Sequence, residues 1–303
     1  MPAPPLSDVV SAWYVGAARD LPWRRPGTSP YAVLVSEVML QQTPVGRVLP
    51  AYDAWLERWP TAAALADDEP GEAVRMCGRL GYPRRALRLH AAAVAIVEQY
   101  DGELPTTVPE LLALPGVGDY TARAIAAFAH RQRHAVVDTN VRRVVARAVQ
   151  GVADAAVTKR DLLLVAELLP ADEEEAAVAS IAFMELGALV CTARTPRCEV
   201  CPAAGQCAWL ELGRPALDVA VKRPQAFAGT DRQARGRLLA VLREAREPVE
   251  AAALDAVWTE PLQRGRALDG LVADGLVDPL PDGRFALPTR PATGRTRGPW
   301  PGT

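Results

Sequence analysis

The stretch that decides the fold is residues 114–140, which read LPGVGDYTARAIAAFAHRQRHAVVDTN. Pro115 ends one helix, and Gly116 and Gly118 permit positive φ and leave backbone N–H groups uncovered by a Cβ. A helix is predicted over about 119–129, and the positive end of its dipole points at the glycine turn. The turn is therefore either an ordinary corner between two helices or a site that binds an anion such as a phosphate.

A single carboxylate follows one helix later. Asp138 lies between the apolar run 135–137 and the helical pattern of 139–145. Aspartate at such a position caps a helix N-terminus, and capping alone is enough to explain it. The sequence predicts an N-cap here and leaves a functional role for the carboxylate open.

A second carboxylate interrupts an apolar helix. Ser29 and Pro30 form an N-cap and N1 pair, which predicts a helix over 30–42. Within its YAVLVSEVML segment, Glu37 is the only charged residue. Such a carboxyl group is either paired with a cation from elsewhere in the chain or partly desolvated, and desolvation favours its protonated form. The position fits a structural ion pair and a proton donor alike.

Four of the five cysteines are closely spaced. They follow the pattern Cys191-x6-Cys198-x2-Cys201-x5-Cys207, whereas Cys77 stands apart and fits a small buried side chain. Four thiolates at this spacing indicate a metal site rather than disulfides. Zinc and a [4Fe-4S] cluster both suit four thiolates.

The composition is that of an ordinary globular protein. The chain has 303 residues, 50% of them hydrophobic and 23% charged, and this length supports two domains. A net charge of -2 and a pI of about 6.0 do not indicate a nucleic-acid partner, so DNA binding has to rest on local patches. The sequence shows neither a signal peptide nor an uncharged apolar stretch of about 18 residues, so a cytoplasmic protein is expected.

The C-terminal part predicts a small separate module. Proline and glycine mark a linker at 213–231. Helices are predicted at 233–245, 250–257 and 261–274, followed by short apolar pieces at 275–278 and 284–287. Three helices and a hairpin are typical of a winged helix, here 232–288, and 289–303 is expected to be disordered. Arg264 and Arg266 on the third helix suit contact with a DNA groove, and a module that only packs or docks a protein is an equal alternative.

Four segments together resemble the MutY family of adenine DNA glycosylases, in the endonuclease III superfamily. They are LPWR at 21–24, SEVMLQQT at 36–43, LPGVG at 114–118 and HAVVDTNVRRV at 134–144. The resemblance covers about residues 8–212 and suggests a short, actinobacterial-like form, because nothing resembles the larger nucleotide-hydrolase domain in which family members commonly end. It implies an all-α helix-hairpin-helix glycosylase domain at 1–212. Within it, 21–133 would form a helical barrel, and 1–20 with 134–212 an iron-sulfur cluster domain.

The resemblance also implies roles for the matched residues. Glu37 and Asp138 would be catalytic, oriented by Tyr120 and Asn140. Adenine would be contacted by Trp23, Arg24 and Glu185, and the opposite base approached by Gln42, Thr43, Leu80 and Tyr82. A DNA phosphate would be gripped by Gly116, Val117 and Gly118, and a [4Fe-4S] cluster held by Cys191, Cys198, Cys201 and Cys207.

Three positions depart from patterns of that superfamily. Thr139 stands where the adenine-specific branch usually has glycine, and Pro83 where a tyrosine is common. Tyr120 occupies the position at which bifunctional members carry a Schiff-base lysine, and Lys159 and Lys222 are the only lysines of the chain. The protein is therefore expected to lack lyase activity.

These features predict a monofunctional adenine DNA glycosylase of base excision repair. Glu37 would protonate N7 of a flipped adenine, and Asp138 would stabilise the oxocarbenium character of the sugar. The expected partner is double-stranded DNA with an A·8-oxoguanine or A·G mispair, bound by a monomer at the nucleoid, with no membrane partner. Two alternatives are a thymine DNA glycosylase acting on G·T mismatches and a non-catalytic DNA-binding protein. The latter leaves the charge within an apolar helix unexplained.

Overall fold

The computed structural model describes residues 3–154, 158–216 and 227–290. Helices account for most of these residues, and the β structure among them is a two-stranded antiparallel sheet and an isolated bridge between Val249 and Phe285. The predicted all-α fold is therefore confirmed. Part of the predicted linker and most of the predicted disordered tail lie outside the described residues. Within the described ranges, no helix is long and apolar enough to cross a membrane.

The elements follow one another in a simple order. The N-terminal helices are α1 (Leu6–Ala17), α2 (Pro30–Leu40), α3 (Val45–Arg58), α4 (Ala62–Asp67), α5 (Pro70–Cys77), α6 (Arg84–Tyr100), α7 (Val108–Ala113) and α8 (Asp119–Phe128). They are followed by α9 (Thr139–Ala148), α10 (Lys159–Leu168), α11 (Glu173–Leu189), α12 (Ala208–Glu211), α13 (Asp231–Glu244), α14 (Ala251–Val257), α15 (Pro261–Ala273), β1 (Asp278–Pro279) and β2 (Phe285–Ala286). Single 3-10 turns lie at Pro22–Arg24, Gly78–Leu80, Cys198–Val200 and Ala204–Gln206.

Packing divides the described residues into two units. The first takes those within Met1–Leu34, Thr106–Ala113 and Val117–Val221. The second takes those within Val35–Pro105, Leu114–Gly116 and Lys222–Thr303. These units group residues by packing, whereas the boundaries predicted from the sequence follow the order of the chain, so those boundaries stay a prediction.

The core of the first unit forms around α11. This helix packs on α1, α8 and α9, and its residues Phe183 and Leu186 meet Val10 of α1 and Val141 and Val144 of α9 in one apolar cluster. Asp172 starts α11 by accepting a hydrogen bond from the backbone N–H of Glu175 (3.0 Å). The long helix therefore supplies a rigid support for the segment that begins at Asp138.

The turn quoted first joins α7 to α8, two helices that pack on each other. Gly116 has φ +78°, a left-handed conformation that favours glycine. A Cβ at this position would also lie 2.6 Å from the Cβ of Arg88, so two independent constraints require glycine here. Helix α8 ends one residue before the predicted end, and Gly118 is its N-cap.

In the second unit α6 packs on α4 and α5. Helix α4 was not expected from the sequence, although Thr61 caps it by accepting a hydrogen bond from the Ala64 N–H (3.2 Å). Its six residues are too few for a periodic signal to stand out. Helix α2 is two residues shorter than predicted, because the chain turns into a left-handed conformation at Gln42 (φ +53°).

The C-terminal segment of this unit has the predicted three helices and hairpin. Helix α13 packs on α14 and α15, and β1 pairs with β2 in the register Asp278 to Ala286. The segment is tied to α5, since Arg243 Nε donates to the Val74 carbonyl (2.9 Å) and the Gly71 N–H donates to the Pro288 carbonyl (2.7 Å). These contacts hold the C-terminal segment against α5.

The two arginines predicted to suit a DNA groove pair with acids of the same segment. Arg264 Nε lies 2.7 Å from Asp255 Oδ1, and Arg266 Nη2 lies 3.5 Å from Asp231 Oδ1. The assignment as a winged helix and a role in groove contact stay predictions.

Candidate functional site

Asp138 is the N-cap of α9, as predicted. Its Oδ1 accepts hydrogen bonds from the backbone N–H groups of Asn140 (2.8 Å) and Val141 (2.7 Å), and its Oδ2 accepts one from Asn140 Nδ2 (2.8 Å). Burial raises the pKa of the Asp138 carboxyl above its ordinary value, while these donors and the charge of Arg143 oppose the rise. The carboxyl group is therefore held in one orientation in a largely desolvated position.

Arg143 connects this carboxyl group to the cysteine-containing loop. Its Nη2 donates to Asn140 Oδ1 (2.8 Å) and to the Gly187 carbonyl (2.7 Å), and its Nε donates to the Cys191 carbonyl (2.6 Å). The Asn140 amide is thus fixed at both ends, with Nδ2 on Asp138 and Oδ1 on Arg143. A continuous series of hydrogen bonds joins the predicted catalytic carboxylate to the first predicted cluster ligand.

Helix α11 lies against α9 at Gly187. A Cβ at this position would lie 2.7 Å from both the Cβ and the carbonyl oxygen of Asn140, closer than real Cβ contacts. Any side chain at position 187 would therefore push Asn140 away from its place beside Asp138. The sequence offered no sign of this constraint, because it depends on a contact between two helices far apart in the chain.

Glu185, predicted to contact adenine, is fully buried and bound by two arginines. Its carboxylate accepts hydrogen bonds from Arg19 Nε (2.7 Å), Arg19 Nη2 (2.7 Å) and Arg24 Nη1 (2.9 Å). Burial acts to raise the pKa of Glu185, but the hydrogen bonds and charges of the two arginines outweigh burial and hold that pKa below its ordinary range. Trp23 is buried in the same 3-10 turn as Arg24. Both Glu185 oxygens are engaged by arginine, so this residue is suited to position Arg24.

Tyr120 lies on the first turn of α8. Its ring packs against a small cluster formed by Ala124, Ala127 and Val136, which Phe128 and Met184 also contact. The tyrosine is half-buried there, on the segment that leads to Asp138.

Glu37 is buried within α2, at 7% exposure. Its neighbours along the helix are buried as well, and Leu34, Val35 and Ser36 are each at 0% exposure. The helix is thus covered on every side from residue 31 to 39. The sequence expectation that this carboxyl group is removed from bulk water is in agreement with its position.

Arg85 fixes the end of the same helix. Its guanidinium donates to the carbonyls of Met39 (2.7 Å), Gln41 (2.9 Å) and Leu80 (3.1 Å), and to Thr43 Oγ1 (2.9 Å). Cations are favoured at helix C-termini, where the last carbonyls have no partner within the helix. Arg85 therefore fixes the positions of Thr43 and Leu80 and of the backbone just before Gln42. All three residues were predicted to approach the base opposite adenine.

Sequence analysis missed Arg85, although a signal was present. Arg85, Leu89, Ala92 and Ile96 recur with helical spacing, which places the arginine on the buried face of α6. Gln42 and Tyr82 flank this region with positive φ of 53° and 47°, and Tyr82 is 55% exposed. Left-handed backbone in non-glycine residues is uncommon and concentrates at functional sites.

The four closely spaced cysteines lie in the loop after α11 and are half-buried. Burial, together with the charges of Cys191, Cys207 and Cys198, raises the pKa of the Cys201 thiol to about 11, against the opposing effect of a hydrogen bond with the Ala203 backbone. Arg147 Nη1 lies 3.4 Å from Cys191 Sγ. Across the described residues, no group of three or more His, Cys, Asp or Glu side chains is placed to hold a single metal ion.

The glycine turn provides the N-terminus of α8. No side chain caps this helix among the described residues, so its first N–H groups face the turn formed by Gly116, Val117 and Gly118. A helix N-terminus of this kind attracts anions. Glu37, Gln42, Thr43, Leu80, Tyr82 and Gly116 lie in the second packing unit, and the remaining predicted site residues lie in the first.

The chain matches known repair proteins in sequence and structure. Residues 35–166 match the HhH-GPD superfamily of base excision DNA repair proteins. The solved structure of a thermostable thymine-DNA glycosylase has a TM-score of 0.63 and 27% identity, covering 68% of this chain and 95% of that chain. A non-covalent endonuclease III–DNA complex gives a TM-score of 0.59 at 22% identity, covering 69% and 95%. Fold and site together define a base excision DNA repair protein of the helix-hairpin-helix class.

A relative with higher identity narrows the assignment. The adenine DNA glycosylase of Mycolicibacterium smegmatis is 58% identical over 285 residues, which are 94% of this chain and 96% of that protein. The chain therefore belongs to the adenine DNA glycosylase family and is a DNA glycosylase. The resemblance noted in the sequence is confirmed, and the similarity extends beyond residue 212 into the C-terminal segment.

Proposed function

We propose that this glycosylase removes adenine from A·8-oxoguanine and A·G mispairs in double-stranded DNA, with Glu37 as proton donor and Asp138 as the stabilising carboxylate. The observation that supports this most is the placement of two carboxyl groups in different environments. Glu37 is 7% exposed within a helix of buried, mostly apolar residues, whereas Asp138 caps a helix N-terminus and accepts three hydrogen bonds. Two carboxyl groups whose environments differ in this way can serve as acid and base at one pH.

Glu37 would supply the proton that makes adenine a better leaving group. The proton passes from its carboxyl group to N7, and the electron pair of the C1′–N9 bond moves onto the base as that bond breaks. The proposal requires Glu37 to be protonated when the substrate binds. Burial of the side chain, at 7% exposure, disfavours a charged carboxylate.

Asp138 would stabilise the positive charge that develops on the sugar. An ionised carboxylate near C1′ lowers the energy of an oxocarbenium-like state, as in glycoside hydrolysis. Water then adds to C1′ and gives up a proton to a carboxylate, which completes hydrolysis. Asn140 fixes the carboxylate oxygens, and Tyr120 is proposed to orient the reacting groups from the start of α8.

The same residues argue for hydrolysis without strand cleavage. A lyase needs an amine nucleophile that forms a Schiff base with the sugar. Tyr120 offers a phenol at the position where bifunctional relatives carry a lysine, so no imine can form there. We propose that the product is an abasic site that remains in an intact strand.

A [4Fe-4S] cluster would be held by Cys191, Cys198, Cys201 and Cys207. The chemistry of the donor set fits such a group, because burial and the other three cysteines raise the pKa of the Cys201 thiol, and bound iron would stabilise the thiolate form of all four. The cluster would cross-link the four cysteines and so give the loop a rigid centre. Arg147 braces the loop by donating to the carbonyl of Thr192 (2.8 Å).

DNA would be gripped at the glycine turn. The N-terminus of α8 binds a backbone phosphate, which sets the position of the duplex without reading its sequence. Gln42 and Tyr82 would enter the duplex near the base opposite adenine, and Trp23 and Arg24 would line the pocket for the flipped adenine. The protein is proposed to act as a monomer.

A single-turnover assay tests the proposal. Duplexes carry adenine opposite 8-oxoguanine, guanine or cytosine, or thymine opposite guanine, and abasic sites are revealed by alkali. We expect adenine release opposite 8-oxoguanine and guanine, and no covalent complex after borohydride treatment. Preferential release of thymine would overturn the substrate assignment, and an absence of abasic sites in every duplex would overturn the enzymatic one.

A further inference from the structure

A cavity of about 350 Å³ opens between the glycosylase part and the C-terminal segment of the second packing unit. Its volume falls in the range of ligand pockets, roughly 300–1,000 Å³. Gln42 and Tyr82, which carry the left-handed backbone described above, line one side. Arg235 and Asp274 from the C-terminal segment line the other. Residues from both parts of the unit therefore face the same space.

The backbone at Gln42 and Tyr82 is shaped for this cavity. Positive φ in residues other than glycine is energetically unfavourable and persists where the surrounding structure enforces it. Arg85 enforces it here through the carbonyls of Gln41 and Leu80. The strained residues direct their side chains into a solvent-accessible pocket, which indicates a binding surface.

The opposite wall carries a carboxylate that is held between two arginines. Asp274 follows the last residue of α15, and its Oδ1 lies 3.3 Å from Arg84 Nη1 while its Oδ2 pairs with Arg235 Nη2. Gly270, one turn earlier, leaves room for the Arg235 guanidinium, because a Cβ there would collide with it. The Asp274 side chain keeps 25% of its surface exposed. A carboxylate is thus oriented by its neighbours and still accessible from the cavity.

The side chains on this wall complement the hydrogen-bonding edge of one particular nucleobase. An arginine beside an aspartate presents a hydrogen-bond donor next to an acceptor. Guanine offers two acceptors, O6 and N7, along its major-groove edge. Oxidation at C8 turns N7 into an N–H donor and adds the acceptor O8 beside it. The Arg235–Asp274 pair therefore complements 8-oxoguanine, whereas its carboxylate repels the N7 lone pair of guanine.

We propose that Asp274 and Arg235 are specificity-determining residues, which recognise 8-oxoguanine opposite the excised adenine. The inference rests on the proposed function, and it gives the C-terminal segment a task within that function. Arg84, Arg85 and Arg88 around the cavity favour the approach of a polyanion such as DNA. Gln42 and Tyr82 close the site from the glycosylase side.

The test compares two rates in each protein. Adenine release is measured under single turnover from A·8-oxoguanine and A·G duplexes, and the ratio of the rates is reported. Asp274→Ala removes the proposed acceptor. Asp231→Ala is the matched control, because Asp231 also pairs with an arginine between α13 and α15 but does not line the cavity.

Asp274→Ala is expected to lower the ratio about tenfold or more, the size of one base-edge contact, through a slower reaction opposite 8-oxoguanine. The A·G rate of Asp274→Ala should stay at or above the wild-type value, because the repulsion between the carboxylate and guanine N7 is removed. The ratio for Asp231→Ala should stay at the wild-type value. Because the ratio is taken within one preparation, a partly folded variant lowers both rates alike. A wild-type ratio in Asp274→Ala overturns the inference.

A second variant, Arg235→Gln, tests the inference if Asp274→Ala does not fold. Arg235→Gln removes the guanidinium of the C-terminal segment and leaves Asp274 beside Arg84, so the ratio should again fall. An unchanged ratio in Arg235→Gln overturns the inference when Asp274→Ala cannot be purified. If wild-type protein releases no adenine from any duplex, the proposed function is wrong, and the inference that rests on it is wrong as well. If it does release adenine and both variants keep its ratio, only the role of the C-terminal segment fails.

Discussion

Replacing Arg85 by methionine should reveal how much the end of α2 depends on one side chain. Methionine keeps the length of the aliphatic stem, so the change removes the guanidinium and little of the packing. The lost partners are the carbonyls of Met39, Gln41 and Leu80 and the hydroxyl of Thr43. Thr43 Oγ1 remains 3.3 Å from both the Gln41 and the Leu80 carbonyl, which compensates those two in part.

The magnitude follows from these contacts. Each buried acceptor left unsatisfied costs about 1–3 kcal/mol, so three carbonyls set a range of about 3–9 kcal/mol. Part of this is offset because a buried guanidinium no longer has to be desolvated. We expect the free energy of unfolding to fall by about 3–5 kcal/mol, a large share of the about 5–15 kcal/mol typical of a whole protein.

Urea denaturation followed by circular dichroism measures the loss. Arg84→Met is the matched control, because Arg84 precedes Arg85 on α6 but pairs with Asp274 at 3.3 Å and is 37% exposed. Such a pair contributes at most about 1 kcal/mol. If Arg85→Met loses no more than the control, the argument that Arg85 holds the end of α2 is wrong.

Three further predictions concern the first packing unit. Gly187→Ala should reduce the rate of base release with little loss of duplex binding, because the added Cβ displaces Asn140. Gly205→Ala is the control, because a Cβ added at position 205 has no neighbouring atom within 4 Å. The free energy of unfolding of the wild-type protein should decrease as the pH falls below about 4.3, because the pKa of Glu185 is depressed in the folded state. Arg19→Ala brings this pKa closer to its ordinary value, so its free energy of unfolding should decrease less when unfolding is measured over the same acid range. Asp138→Asn should have the same Tm as the wild-type protein at pH 7 or a higher one, because the raised pKa of Asp138 means that its ionised carboxylate lowers the stability of the fold there. The difference in Tm should become smaller as the pH is lowered. A clearly lower Tm of Asp138→Asn at pH 7 would contradict this prediction.

The parts of the fold that could be predicted are those with local causes. Asp138 as a cap, the helix after the glycine turn and the helix starting at Pro30 each depend on residues within one turn of the feature. The C-terminal helices and hairpin were likewise visible in spacing and turn residues. Burial of Glu37 followed from an apolar run on every side of the helix.

The parts that could not be predicted depend on contacts between distant segments. Arg19 and Glu185 are separated by 166 positions, and nothing near either residue in the sequence indicates the pair. The same holds for Asp274, which follows α15, and Arg84 at the start of α6, whose side chains lie 3.3 Å apart. Periodicity shows that an arginine faces inward, but not which carbonyl or carboxylate it meets there.

The measurement that tests the central claim most directly is single-turnover adenine release by Glu37→Gln from an A·8-oxoguanine duplex. Glutamine keeps the shape of the side chain and removes the transferable proton, so the rate should fall about 100-fold or more while duplex affinity is retained. Glu57→Gln, on the exposed face of α3, should keep the wild-type rate. Adenine release by Glu37→Gln at the wild-type rate would contradict the account.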